Sequence, residues 1–143
     1  MIASLVDRLS LVDDPRSPVA RLRESLRRDL EALLNSRRHL LSWPEELDEL
    51  DRSLVNYGLD DLVNESVGSD DFRDRFVADV EQLVRRLEPR IGRFEVAILP
   101  NKDELDRTLR LRISGLVTLD GEKQELTFDS HLDPVRNYLV MRS

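Results

Sequence analysis

Hydrophobic residues recur at helical spacing in two long segments of the chain. In the first, Ser17-Pro18 precedes an apolar stripe with steps of three and four residues, and Asn35 follows it. Ser is a favoured N-cap, Pro suits the first helical position, and Asn often follows a helix end, so we expect a helix over residues 18–35. The second stripe predicts another helix from Asp70 to Leu87; it comprises Phe72, Phe76, Val80, Leu83, Val84 and Leu87.

The hydrophobic period changes from helical spacing to alternation after Pro89. Proline lacks a backbone N–H and disfavours helical geometry in the residue before it, so the second helix should end near Leu87. Beyond this point four stretches alternate between apolar and polar residues, and Asp120-Gly121 lies between two of them as a hairpin signal. We therefore predict an α+β fold in which N-terminal helices pack on one face of a mainly antiparallel four-stranded sheet or meander.

The length of 143 residues is that of one ordinary domain. We expect a single domain over 1–143, with a docked or flexible leader at 1–16, a mainly helical part at 17–87 and a mainly β part at 91–143. No apolar run approaches the roughly 20 residues that cross a bilayer. Asp7 and Arg8 also interrupt the apolar start, so we expect a soluble protein without direct membrane insertion.

The composition narrows the classes of chemistry. The chain has no cysteine and two histidines far apart, His39 and His131, so we expect no disulfide, thiolate or zinc site. Its five glycines occur singly and form no phosphate loop, so we expect no cofactor and no metal. The net charge of −7 argues against a nucleic acid partner.

Charge is unevenly distributed along the helical part. Residues 16–38 contain seven arginines and three acids, whereas residues 45–74 contain eleven acids and two arginines. This polarity fits either solvated helix faces or contacts with unlike partners, and the residues alone leave both open.

The abundance of carboxylates permits one enzymatic hypothesis. A glycosidase needs two acids across a cleft, and Glu88 with Glu95 or Asp129 could supply them. With 29 acids in the chain, however, a pair near some cleft is expected by chance. We favour the interpretation that Glu88 pairs with an arginine and stabilises the junction, and we assign no catalytic residue.

Four stretches of the chain carry a family resemblance. They are Ser4–Leu9, Leu26–Arg37, which contains the sequence RRDLEALLN, Ser53–Leu62, and Glu88-Pro89-Arg90 followed by Phe94. Together and in this order they resemble the gene 25-like family of baseplate wedge proteins, found in contractile phage tails and in type VI secretion systems. The second stretch is closer to the type VI branch, whereas Asp60 replaces the proline usual in the third.

The resemblance implies a structural, non-enzymatic role. A member of this family would bind other wedge subunits (TssF and TssG in type VI systems, with TssK as a further candidate) and sheath subunits TssB and TssC. It would help to initiate sheath polymerisation from a cytoplasmic baseplate docked on the inner membrane. The alternative is a lysozyme-like peptidoglycan hydrolase that uses Glu88.

The matching motifs also imply assembly residues, namely Glu88, Pro89, Arg90, Arg28, Asp29, Glu31, Asn56, Tyr57 and Gly58. The sequence leaves open whether Glu88 and Arg90 bond each other or a partner. The family's last strands resemble the interlocking part of sheath subunits, which implies that residues 126–142 form a sheet edge available to a sheath strand.

Overall fold

The computed structural model describes residues 9, 16–38, 44, 46, 47, 49, 50, 53–60, 69–101, 108–133, 136 and 138–142. Most of the expected leader at 1–16 lies outside these residues, as does most of the first family stretch. All nine residues expected to act in assembly are described.

Two long helices form where the apolar stripes predict them. Helix α1 is Pro18–Asn35, and the Ser17 hydroxyl accepts a hydrogen bond from the Ala20 N–H at 3.2 Å. Helix α2 is Asp70–Leu87, with two acids in its first turn and two arginines in its last turn, which complement the helix dipole. A short 3₁₀ helix, Leu54–Asn56, lies between them. The helical expectations are therefore confirmed.

In the described part of the chain, four antiparallel strands follow the helices. They are β1 (Ile91–Leu99), β2 (Leu109–Leu119), β3 (Glu122–Asp133) and β4 (Tyr138–Arg142). They lie side by side in the order β1-β2-β3-β4. Asp120 and Gly121 have φ values of 52° and 87°, so the β2–β3 connection is the expected two-residue hairpin. The sheet is the predicted antiparallel meander.

The hydrophobic core lies between the two helices and one face of the sheet. Leu26, Leu30 and Leu34 of α1 are fully buried, as are Val80 and Val84 of α2. They belong to one cluster with the inward-facing residues of the strands, among them Leu111, Ile113, Phe128 and Leu139. This arrangement confirms the α+β fold. No helix in the described part of the chain is long and apolar enough to span a membrane.

The expectation that residues 126–142 form a sheet edge is wrong for residues 126–133. These residues belong to β3, which pairs with β2 on one side and with β4 on the other. The two edge strands are β1 and β4. The alternation of residues 126–133 predicted a strand correctly, but it cannot specify which strands lie at the edges of the sheet.

Candidate functional site

The site begins at the turn that converts α2 into β1. The Glu88 N–H donates to the Val84 carbonyl at 2.8 Å and closes the helix. The Ile91 N–H donates to the Glu88 carbonyl at 3.2 Å, which makes residues 88–91 a β-turn with Pro89 in its second position. Proline fixes the backbone angle that this position needs. The turn therefore fixes the backbone on both sides of the proline.

The guanidinium of Arg90 bonds to side chains of the junction and of helix α1. Its Nε and Nη2 donate to the two carboxylate oxygens of Glu88 at 2.5 and 2.6 Å. Nη2 also donates to Oδ2 of Asp29 at 2.6 Å, and Nη1 donates to the Ser25 hydroxyl at 3.0 Å. Glu88 and Arg90 therefore bond each other within the chain, which answers the question that the sequence left open. Arg90 also connects the junction to helix α1.

The Arg90–Glu88 pair at the centre of this ion cluster is shielded from solvent. The side chains of Arg90 and Glu88 are only 10% and 8% exposed. The hydrogen bonds to Glu88 raise the pKa of Arg90 above its usual range, and the bond to Asp29 adds to the effect. Asp29 lies closer to the surface and also accepts from Arg28 at 3.2 Å. Arg28, Asp29, Glu88 and Arg90 thus form one charged network.

A pocket of about 330 Å³ opens beside this network. It is lined by Asp29, Leu33, Tyr57, Leu87, Glu88, Pro89 and Arg90. Burial raises the pKa of the Tyr57 hydroxyl, and the negative charges of Asp29 and Glu88 raise it further. The structure therefore brings together residues from three of the four family stretches.

The segment that carries Tyr57 is held against the end of α1. The Leu59 N–H donates to the Ser36 carbonyl at 2.9 Å, and the Arg38 N–H donates to the Leu59 carbonyl at 2.8 Å. Gly58 lies at this approach with φ +106°, and a Cβ there would stand 2.4 Å from the Ser36 oxygen. Only glycine fits, because both the angle and the space exclude a side chain. The side chain of Asn56 accepts from Arg38 at 3.1 Å and supports the same segment.

Glu31, another expected assembly residue, lies outside both the pocket and the Arg90 network. Its Oε2 accepts a hydrogen bond from the Met141 N–H of β4 at 2.9 Å, and Arg27 donates to the same oxygen at 3.0 Å. Glu31 therefore acts at the sheet edge and not in the pocket.

The arrangement does not resemble the carboxylate pair of a glycosidase. Both oxygens of Glu88 accept hydrogen bonds from the Arg90 guanidinium. Asp129 is on β3 in an exposed ion pair with Arg112 at 2.7 Å, and Glu95 is exposed on β1. Among the described residues, no group of three or more acidic or histidine side chains could hold a metal ion.

Sequence reasoning missed several residues that build the site. Ser25 precedes Asp29 by four residues, so helical periodicity places both residues on the same face of α1. Nothing in the sequence identified Arg90 as the partner of Ser25. Arg86 donates to the Asn56 carbonyl across a gap of 30 residues, and Asn35 bonds to β4 across a gap of 104. No local pattern encodes such distant pairs.

Comparisons with known proteins identify the family. The family model described as baseplate wedge protein gp25 matches residues 20–122. A solved structure described as "The baseplate complex from the type VI secretion system" contains a chain that is 17% identical, with a TM-score of 0.55. The match covers 80% of this chain and 96% of that one, and it shows a shared fold. A search of curated proteins returned no match.

Proposed function

We propose that this chain, which belongs to the family of baseplate wedge protein gp25, is a structural subunit of a type VI secretion baseplate in the position of TssE. Family membership supports the structural baseplate role. The type VI context is supported by the sequence of helix α1 and by the fold shared with a chain of a type VI baseplate complex.

The observation that carries the proposal is the pocket beside the Arg90 network. Its charged side chains are already bonded to one another, so a partner would meet a preformed surface and not free charges. The apolar parts of Tyr57, Leu87 and Pro89 line the same pocket. A preformed pocket of this kind suits an anchoring side chain of another protein, because little ordering is required on binding.

In this proposal the network is a scaffold, and Tyr57 and Pro89 provide the contact. The partners are the wedge subunits TssF and TssG, with TssK as a further candidate, and the completed wedge helps the sheath subunits TssB and TssC to begin polymerisation. The protein would work in the cytoplasm, at a baseplate docked on the inner membrane. The proposal requires no catalytic residue and no cofactor.

The test compares a tyrosine that lines the pocket with a tyrosine that lies outside it. Tyr57 lines the pocket, whereas Tyr138 is half exposed on β4. Tyr57→Ala should abolish co-purification with the wedge subunits, because it removes the partner's contact, and Tyr138→Ala should leave it unchanged. Equal unfolding temperatures of the free variants would exclude loss of the fold as the cause.

Two results would overturn the proposal. The first is wedge binding that survives Tyr57→Ala, which would remove the pocket from the interface. The second is release of peptidoglycan fragments by the purified chain that disappears in Glu88→Gln. That result would support the hydrolase alternative instead.

A further inference from the structure

An exposed apolar surface lies on the segment between the two long helices. The most exposed large apolar side chain in the described part of the chain is Leu54, at 86%, and its neighbour Val55 is 37% exposed. Leu47, on the same segment, is 49% exposed. Single exposed apolar residues are ordinary, but several that are close together mark an interaction site. We call these three side chains the Leu54 surface.

Hydrogen bonds hold the 3₁₀ helix that carries Leu54 and Val55. The Val55 N–H donates to the Ser53 hydroxyl at 3.2 Å. The Tyr57 N–H donates to the Leu54 carbonyl at 3.2 Å, and Arg86 of α2 donates to the carbonyl of the last residue of the 3₁₀ helix. The fold therefore presents Leu54 to solvent on a fixed backbone, so little conformational freedom is lost when another protein covers it.

Leu47 lies on the same run of turns. The Leu50 N–H donates to the Leu47 carbonyl at 3.0 Å, and the Ser53 N–H donates to the Leu50 carbonyl at 3.1 Å. Each such turn brings Cα atoms three residues apart to within about 7 Å, so Leu47 lies within about 14 Å of Ser53. Leu54 follows directly. A helix of about ten residues would span the whole surface.

The Leu54 surface is continuous with the pocket beside the Arg90 network. Tyr57 lines that pocket, and its N–H closes the 3₁₀ helix onto the Leu54 carbonyl. Leu54 and Val55 do not line the pocket themselves. A partner with a side chain in the pocket would therefore meet them as a second set of contacts.

The segment that carries the surface is strongly acidic. Residues 45–74 contain eleven acids and two arginines, and Glu46 and Glu49, on either side of Leu47, are exposed. A second copy of this chain would bring the same acids face to face, because a symmetric dimer uses the same surface on both copies. Lysine and arginine are the complementary side chains. The charge therefore favours a basic partner.

We infer that a basic amphipathic segment of another protein binds the Leu54 surface. Its apolar residues cover Leu54 and Val55, and its lysine or arginine residues face Glu46 and Glu49. The inference rests on the proposed function, because it extends the interface that begins at the pocket. It adds where the partner makes contact outside the pocket and which charge the partner carries there.

The first arm of the test removes the apolar contact. Baseplates isolated from cells that lack this chain are mixed with the purified chain, and the dissociation constant is measured. Leu54→Ser should weaken binding by at least about tenfold. Leu116→Ser is the matched control, since Leu116 is an exposed leucine on β2, and should change binding by less than about twofold. The unfolding temperature of free Leu54→Ser should be unchanged, because most of this side chain is already in water.

The second arm tests the charge. Replacing both Glu46 and Glu49 by glutamine should weaken binding by at least about fivefold at about 0.05 M salt, and by less than about twofold at about 0.5 M salt, because salt screens exposed charges. Glu122 and Glu125 are the matched control, since they are also exposed acids three residues apart, on β3. Replacing both by glutamine should change binding by less than about twofold at either salt concentration.

Three outcomes would overturn the inference. Unchanged binding of Leu54→Ser, or equal weakening by Leu54→Ser and Leu116→Ser, would remove the Leu54 surface from the interface. Unchanged binding after both Glu46 and Glu49 are replaced would show that the partner is not basic. Dimerisation of the free chain that Leu54→Ser abolishes, measured by analytical ultracentrifugation, would assign the surface to a second copy.

These outcomes are distinct from a failure of the proposed function. If Tyr57→Ala abolishes binding and Leu54→Ser does not, the pocket remains the interface and only the inference fails. Failure of the unmodified chain to bind any baseplate would overturn the proposed function, and the inference with it.

Discussion

Replacing Arg90 by alanine should be among the most damaging single changes to the fold. Arg90 neutralises Glu88 and Asp29 in a site where the arginine and Glu88 side chains are at most 10% exposed. Alanine would leave Glu88 buried without its cation. Removing one partner of a buried pair typically costs about 3–5 kcal/mol of the free energy of unfolding.

The expected loss corresponds to a fall of about 9–15 °C in the unfolding temperature, given about 3 °C per kcal/mol for a chain of this size. Urea unfolding followed by far-ultraviolet circular dichroism measures it directly, provided that the denaturant slope is unchanged. Glu88→Gln should cost less, about 1–2 kcal/mol, because the amide retains one acceptor and Asp29 still pairs with Arg90.

The exposed pair between Arg112 and Asp129 is the control. Its side chains are 45% and 52% exposed. Comparing the stability lost in Arg112→Ala with that lost in Arg90→Ala therefore shows how much of the effect depends on burial of the ion pair. If Arg90→Ala cost less than about 1 kcal/mol, as expected for an exposed pair, the junction network would not stabilise the fold.

Three further predictions follow from the same structure. Gly58→Ala should lower the free energy of unfolding by at least about 3 kcal/mol, measured in the same urea assay. Gly121→Ala is the control, because Gly121 also has a positive φ but has no atom within 4 Å of the new Cβ. It should cost only about 1 kcal/mol. Arg112→Ala should lower the free energy of unfolding far less than Arg90→Ala does, and an equal loss would mean that the exposed pair is stronger than its geometry indicates. In a Tyr138→Phe variant, whose only tyrosine is Tyr57, tyrosinate absorbance should appear at higher pH in the folded chain than in urea. Burial raises the pKa of Tyr57 in the folded chain. The stability that this tyrosine contributes should therefore be complete below its unfolded pKa of about 10 and should be lost as the pH rises through its folded pKa. Titration curves that coincide in the folded and the urea-unfolded chain would contradict this.

The sequence predicted the elements well because their signals are local. Ser17-Pro18 marks the start of α1, and Pro89 marks the change from helical to alternating periodicity. Alternation also predicted the strands, and Asp120-Gly121 predicted the turn between β2 and β3.

The contacts of the candidate site could be predicted only in part. Glu88 and Arg90 are two residues apart, a separation that does not face the same way on a regular helix, and only the proline turn brings them together. Their bonds to Asp29 and Ser25 depend on the packing of α1 against the turn. The same packing places Asn35 against the Leu139 backbone of β4, a contact that is visible only in the three-dimensional structure.

The most direct test of the baseplate role is sedimentation of baseplates isolated from cells that produce a tagged form of this chain. Quantitative mass spectrometry across the gradient should find the chain at a constant molar ratio to the other baseplate subunits in every baseplate fraction. A chain that sediments apart from the baseplate, with no fixed ratio in any fraction, would contradict the assignment as a structural subunit.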